Sequence, residues 1–244
     1  ARRKCSRALL HCRAVSARKL VVAIDGPAGA GKSAAARLLA ARLGLGYLDT
    51  GAMYRAVALV ALERGIQLPP EGSTVEDLAA LARSLPIRFG GTPQEPRVFL
   101  GERDVTQALR SEAVSRAASL VSAVPEVRRE LVARQRALGS QGAVVEGRDI
   151  GTVVFPDAPV KFFLTARPEV RGQRRHAELA SQGVTADLET IVQEIRERDL
   201  RDATREVSPM RPAPDAIVVD TSDLTLEQVV ATLLAHLRAR LVQT

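Results

Sequence analysis

The chain has 244 residues, enough for one large domain or two small ones, and 46% hydrophobic and 26% charged residues exclude a disordered protein. No apolar run approaches the roughly 20 residues that a membrane-spanning helix needs, and the only two cysteines, Cys5 and Cys12, exclude a disulfide framework and a four-cysteine zinc site. The formal charge of +7 resides in residues 1–19, which hold seven arginines and lysines and no acid; the rest of the chain balances 28 basic against 28 acidic residues and lacks the footprint of a polyanion-binding fold.

Residues 1–19 read in three ways: as an organelle transit segment, as a disordered arm, or as the product of a start placed too early in an arginine-rich gene. They are set aside from the fold. Residues 20–25 (LVVAID) form a short apolar run that ends in a turn signal, which predicts a buried strand. A glycine-rich stretch follows, then a helix over 33–43 stopped by Gly44. Residues 45–49 predict a second strand and 52–63 a second helix. Between 66 and 104 the composition changes, with Pro69, Pro70, Pro86, Pro93, Pro96 and a Gly90-Gly91 pair. Short strand-like pieces at 87–89 and 97–100 flank a turn there, so this region reads as an insert with its own small sheet. Helical patterns cover 111–124 and 126–138, with Pro125 at the first turn of the second. Strands are predicted at 143–146, 160–165 and 216–220, a charged helical stretch at 167–205, and a closing amphipathic helix at 224–241. Apolar strands that alternate with helices predict an α/β fold with a parallel sheet covered on both faces.

Residues 26–33 (GPAGAGKS) match the pattern G-x-x-x-x-G-K-[ST] between a predicted strand and a predicted helix. Glycines let backbone N–H groups approach phosphate oxygens, and the helix N-terminus favours an anion. Lys32 supplies a point charge for the β- and γ-phosphates, and the Ser33 hydroxyl can ligate Mg²⁺. The expected ATP-binding residues are Gly26, Pro27, Ala28, Gly29, Ala30, Gly31, Lys32, Ser33 and Ala34. The chain contains no Asn, which excludes the Asn-Lys-x-Asp guanine motif of Ras-type GTPases. A small kinase remains. An acceptor hydroxyl would call for a carboxylate base, whereas an acceptor phosphate is already anionic and calls for cations. His11, His176 and His236 sit in no motif, and 31 of the 35 basic residues are arginine, the better phosphate fork. Residues 49–55 and 146–149 follow strands, at the sheet edge where parallel folds bind ligands. Arg198, Arg201, Asp202 and Arg205 share one helix face; the alternative reading of that face is a solvated one paired with Glu194 and Glu197. Two other classes remain open, a kinase for another small metabolite and an idle ATP-binding or nucleic-acid-binding protein.

Four blocks carry a resemblance: IDGPAGAGKS (24–33), YLDTGAMYR (47–55), EGRDIGTVVFPDAPVKFFLTA (146–166) and RERDLRD (196–202). From about residue 20 to 241 the chain resembles the bacterial-type cytidylate kinases. The resemblance implies a P-loop nucleoside monophosphate kinase fold, with a five-stranded parallel sheet in the order 2-3-1-4-5 and helices on both faces. It divides the chain into a basic extension (1–19), a kinase core (20–65 and 105–244) with a lid at about 166–211, and a monophosphate-binding insert (66–104). It implies phosphoryl transfer from ATP, with Mg²⁺, to CMP or dCMP. Carried over residue by residue, Thr50, Arg55, Arg148 and Arg205 hold the acceptor phosphate, Arg198 and Asp202 the ribose, and Ser119, Arg128 and Asp149 the cytosine edge. Lys32, Arg148, Arg205, Arg171 and Arg174 are the catalytic candidates, and Ser33 the metal ligand. A cytoplasmic monomer that works on free nucleotides is implied, with neither nucleic acid nor membrane as partner. Glu146 stands where relatives also carry Asp, Thr50 where Ser is frequent, and the insert is unusually Pro-rich.

Overall fold

The computed structural model describes residues 20–69, 75–181 and 183–242. The segment 1–19 with Cys5, His11 and Cys12, and also Pro70, lie outside them. Strand β1 (Val21–Asp25) is buried throughout, as a central parallel strand must be. The glycine loop leads into α1 (Lys32–Leu43), and β2 (Gly46–Asp49) leads directly into α2 (Thr50–Glu63). Asp49 starts α2 by accepting the Ala52 N–H at 3.0 Å, a side-chain N-cap. Next come α3 (Val75–Ser84) and the antiparallel strands β3 (Ile87–Gly91), β4 (Pro96–Leu100) and β5 (Arg103–Asp104). Helix α4 (Glu112–Val121) is capped by Ser111, and α5 (Pro125–Gly139) opens on its proline. The chain continues through β6 (Ala143–Glu146), a π-helical turn (Ile150–Val154) and β7 (Val160–Thr165). It closes with α6 (Pro168–Ser181), α7 (Leu188–Thr204), β8 (Ile217–Asp220) and α8 (Leu226–Val242).

The main sheet runs β2-β6-β1-β7-β8, and every neighbouring pair is parallel. Counting only these five strands, the order is 2-3-1-4-5, as expected. Alternation along β1 explains the two layers of helices. Val22 and Ile24 face α1 and α8, packing with Leu39, Phe162, Leu164 and Leu233. Val21 and Ala23 face the other way, towards Val132 of α5 and Ile150 and Val154 of the π turn. Register brings Ile24 and Asp49 both level with Glu146, so three strand ends converge on one edge.

The insert region differs from expectation in two ways. It contains α3, whose Leu78, Leu81 and Ala82 are buried. Its apolar side chains also do not form a core of their own. Leu78, Ile87 and Val98 share one core with Met53 and Val57 of α2, Val114 and Val121 of α4, and Val127 and Leu131 of α5. The charged stretch expected as one helical run over 167–205 is two helices, with Asp187 capping the second by accepting the Thr190 N–H at 2.8 Å. No helix among the described residues is long and apolar enough to cross a membrane.

Candidate active site

The phosphate loop leaves β1 at Gly26, where φ is +139° and a Cβ would stand 1.9 Å from the Leu164 carbonyl oxygen. Only glycine fits there. Lys32 opens α1 and is buried, its Nζ donating to the Pro27 carbonyl at 2.6 Å. Burial, and then the nearby Arg148, push its pKa down to about 7, with Glu146 pulling the other way. The Ser33 hydroxyl donates to one Glu146 oxygen at 2.9 Å, and the Tyr47 hydroxyl donates to the other. Burial, followed by repulsion from Asp49, raises the Glu146 pKa; Lys32 and these hydroxyls oppose it.

Facing the loop is a cationic wall. Arg128 of α5 is 2% exposed and donates to Asp149 at 2.5 Å, a buried charge-assisted pair. The Tyr54 ring lies 5.3 Å from the Arg128 guanidinium. Arg148 donates through Nε to Asp202 at 3.1 Å, and Arg205 lies between Asp149 and Asp202 at 3.7 and 3.6 Å. Burial works to raise the Asp202 pKa, but Arg148, Arg198 and Arg205 hold it below the ordinary aspartate value. Arg198 is lowered to about 10 by burial and by Arg148. Several buried polar atoms make no hydrogen bond: Nε of Arg128, Nε of Arg198 and Nη2 of Arg205. Arginine nitrogens left without acceptors beside a cavity suit an anion that brings its own oxygens.

One cavity of about 220 Å³ joins the two walls, lined by Ala28, Gly29, Lys32 and Ser33 on one side and Arg128, Arg148, Asp149, Arg198, Asp202 and Arg205 on the other, with Thr50 and Arg55 between. Thr50 is buried, and its hydroxyl donates to the Glu146 carbonyl at 2.8 Å. A hydroxyl has one proton, so Thr50 must rotate before it can donate to a phosphate. Arg55 is aimed by Asp49 at 2.5 Å.

The cytidylate kinase family model matches residues 22–239. This chain belongs to the cytidylate kinase family. It is 51% identical to a cytidylate kinase from Pelotomaculum thermopropionicum, over 89% of this chain and 96% of that one. Identity to a cytidylate kinase from Exiguobacterium sibiricum is 50%, over 88% of this chain and 96% of the relative. A bifunctional pantoate ligase/cytidylate kinase from a Synechococcus strain is 52% identical over 87% of this chain, which spans 39% of that longer protein.

Within this chain, most expected residues converge. The helix face that read in two ways resolves clearly: Arg198, Asp202 and Arg205 line the cavity, while Arg201 turns outward and donates to Ser119 at 3.4 Å. Ser119 is buried beside the cavity wall and is not part of the lining. Gly26, Pro27, Ala30 and Gly31 build the loop and Ala34 lies in the first turn of α1; none of them lines the cavity. Arg171 and Arg174 do not line it either. Arg171 pairs with Asp199 at 2.5 Å and donates to the Ala28 carbonyl, and Arg174 donates to Gly29 and Thr221. Sequence reasoning passed over Asp25, Asp49, Tyr47 and Tyr54. Asp25 is 3% exposed and accepts the N–H groups of Ile150 and Gly151, each at 2.7 Å, tying the start of the phosphate loop to the turn after Asp149. Its place immediately before the first loop glycine was the available signal; its partners lie 125 and 126 residues away.

Proposed function

We propose that this chain transfers the γ-phosphoryl group of ATP to CMP or dCMP, giving ADP and CDP or dCDP. The observation that carries the reading is the buried Arg128–Asp149 pair in the wall opposite Lys32 and Ser33, within one cavity. Cytosine offers an amino donor at N4, which Asp149 accepts, and acceptors at N3 and O2, which Arg128 serves. Uracil has O4 in place of the amino group, which sets acceptor against Asp149 acceptor and leaves buried groups unpaired. Ser119 completes the base site from beside Arg128, and Arg198 and Asp202 hold the ribose.

The acceptor phosphate is held by Arg55, Arg148 and Arg205, with Thr50 after rotation. One of its oxygens attacks the γ-phosphorus in line; that bond forms as the bond from γ-phosphorus to the β–γ bridging oxygen breaks, and ADP leaves with the electron pair. The attacking oxygen is already anionic, so no side chain removes a proton. Positioning and fixed positive charge carry the rate. Lys32, Arg148 and Arg205 meet the charge that spreads over the transferring group, and Arg171 and Arg174 support the donor side.

Among the described residues no group of three or more His, Cys, Asp or Glu could cage a metal. Ser33 and Glu146 nevertheless offer oxygen atoms at the phosphate loop, the hard donors Mg²⁺ takes when nucleotide phosphates complete its shell. Ser33 would hold it, with Glu146 behind. Bound there, Mg²⁺ supplies neutralisation of the donor phosphates. Residues 66–104 then act as the monophosphate-binding insert and 166–211 as the lid. The reading extends to a cytoplasmic monomer that acts on free nucleotides; only the exclusion of nucleic acid is supported by the formal neutrality outside residues 1–19.

The test is a coupled assay with ATP against CMP, dCMP, UMP and AMP. CMP and dCMP are expected as the preferred acceptors, and failure to convert CMP would overturn the reading. Asp149→Asn keeps the side chain's size but offers an NH₂ to O4. The ratio of kcat/KM for CMP over UMP is expected to fall by at least about tenfold; an unchanged ratio would remove Asp149 from base selection.

A further inference from the structure

Three consecutive carbonyls of the phosphate loop are gripped by side chains that do not line the cavity. Arg171 Nη1 donates to the Ala28 carbonyl at 3.2 Å, Arg174 Nη1 to the Gly29 carbonyl at 3.4 Å, and Thr221 Oγ1 to the Ala30 carbonyl at 3.0 Å. A trans peptide is planar, and its C=O and N–H point in opposite directions. A carbonyl held on the outside therefore turns the next residue's N–H inward. Gripping Ala28, Gly29 and Ala30 sets the amides of Gly29, Ala30 and Gly31.

Thr221 is the centre of this arrangement. It follows β8 and is 2% exposed. Its hydroxyl has a single proton. That proton has two carbonyls within reach, Ala30 at 3.0 Å and Thr165 at 3.1 Å; the Thr165 carbonyl also accepts the Thr221 N–H at 2.8 Å, so Ala30 is the nearer acceptor and the one with no other hydrogen bond from Thr221. The hydroxyl lone pair in turn receives Arg174 Nη1 at 3.1 Å, and the Thr221 carbonyl receives Arg174 Nη2 at 2.6 Å. One buried residue thus connects the ends of β7 and β8, helix α6 and the phosphate loop.

We propose that Thr221 is a positioning residue for the donor nucleotide, which holds the phosphate loop with its amides turned towards the phosphates, directly at Ala30 and through Arg174 at Gly29. The inference rests on reading residues 26–33 as the ATP cradle. Thr221 does not line the cavity and reaches the site only through Ala30 and Arg174 at the phosphate loop, so it acts on ATP and not on the acceptor or the choice of base.

Thr221→Val preserves shape and removes only the hydroxyl. Its kcat/KM for ATP is expected to fall about tenfold, mostly through KM, while KM for CMP stays within about twofold of wild type. Thr221→Ser restores the ATP parameter. Amide hydrogen exchange of residues 29–31 is expected to rise in Thr221→Val, with β1 and β7 still protected. An equal rise in KM for CMP, or faster exchange throughout β1 and β7, would mark a merely structural residue and overturn the proposal. Lys32→Ala separates the two readings. If it abolishes transfer while Thr221→Val binds ATP normally, the positioning role alone fails; if it transfers at the wild-type rate, the donor-site reading itself fails.

Discussion

Asp25 sits where a carboxylate is costly to ionise. Burial raises its pKa from an ordinary 3.8 to about 6, and the backbone N–H groups of Gly151 and Ile150 offset only part of that. The sign follows from linkage. The folded chain binds this proton more tightly than the unfolded chain, so the contribution to stability is full below about pH 4 and is lost as pH rises through about 6. Asp25→Asn does not titrate. The unfolding free energy of wild type minus that of Asp25→Asn is therefore expected to fall between pH 4 and pH 7 by up to ~3 kcal/mol. Urea unfolding at both pH values measures it, and a difference that does not change with pH would contradict this account. The residues of the phosphate loop were legible because their spacing is itself the chemistry. Asp25 was only half legible: its place before the first loop glycine is visible in the sequence, but the two amides that it accepts lie far along the chain and leave no local mark.

At the scale of elements, the five core strands were legible because each is a short, continuous apolar run, which a strand buried on both faces requires. Helix α3 was not, since it stands in a Pro-rich stretch and shows its apolar face only against α2 and α5. The division between α6 and α7 was hidden by a charged, helix-favouring sequence on both sides. Gly172 is part of the same difficulty. In the sequence it reads as a weak point in a helix. In the fold it is where α7 crosses α6, and a Cβ there would lie 2.4 Å from Val192 Cγ2, on a β-branched side chain with little freedom to move. Its neighbour Arg171 holds both Asp199 of α7 and the phosphate loop. Gly172→Ala is expected to lower stability by ~1–3 kcal/mol through overpacking. It should also lower kcat/KM for ATP, because the parted helices carry Arg171 and Arg174 away from the loop. Thermal unfolding and ATP kinetics together check this; a loss of stability with unaltered ATP kinetics would detach the helix crossing from the donor site.

For the whole molecule, the decisive feature is how unevenly apolar contact is distributed. The sheet rests on large cores on both faces, and the region from α2 to α5 has an extensive core of its own. The α6–α7 pair is joined by Leu179, Ile191 and Ile195, with Ala186 against them. Its attachment to the rest runs largely through arginine contacts: Arg171 to Ala28, Arg174 to Gly29 and Thr221, and Arg148 to Asp202. The topology was readable from strand order in the resembling family, but this inequality was not, because it depends on which apolar residues meet. Local opening free energy follows buried apolar contact, so α6 and α7 should open well below the energy of global unfolding. Arg198 and Asp202 of α7 line the cavity of about 220 Å³, so opening of this helix pair widens it. Amide hydrogen exchange is therefore expected to be fast in α6 and α7 and slow in β1 and α1. A non-transferable ATP analogue together with CMP should slow exchange in α6 and α7 most, because Arg198 Nε and Arg205 Nη2 then gain the acceptors they lack. If α7 is protected as strongly as β1 without nucleotide, the cleft does not open by moving this pair, and access to the site must come from the α2–α5 side.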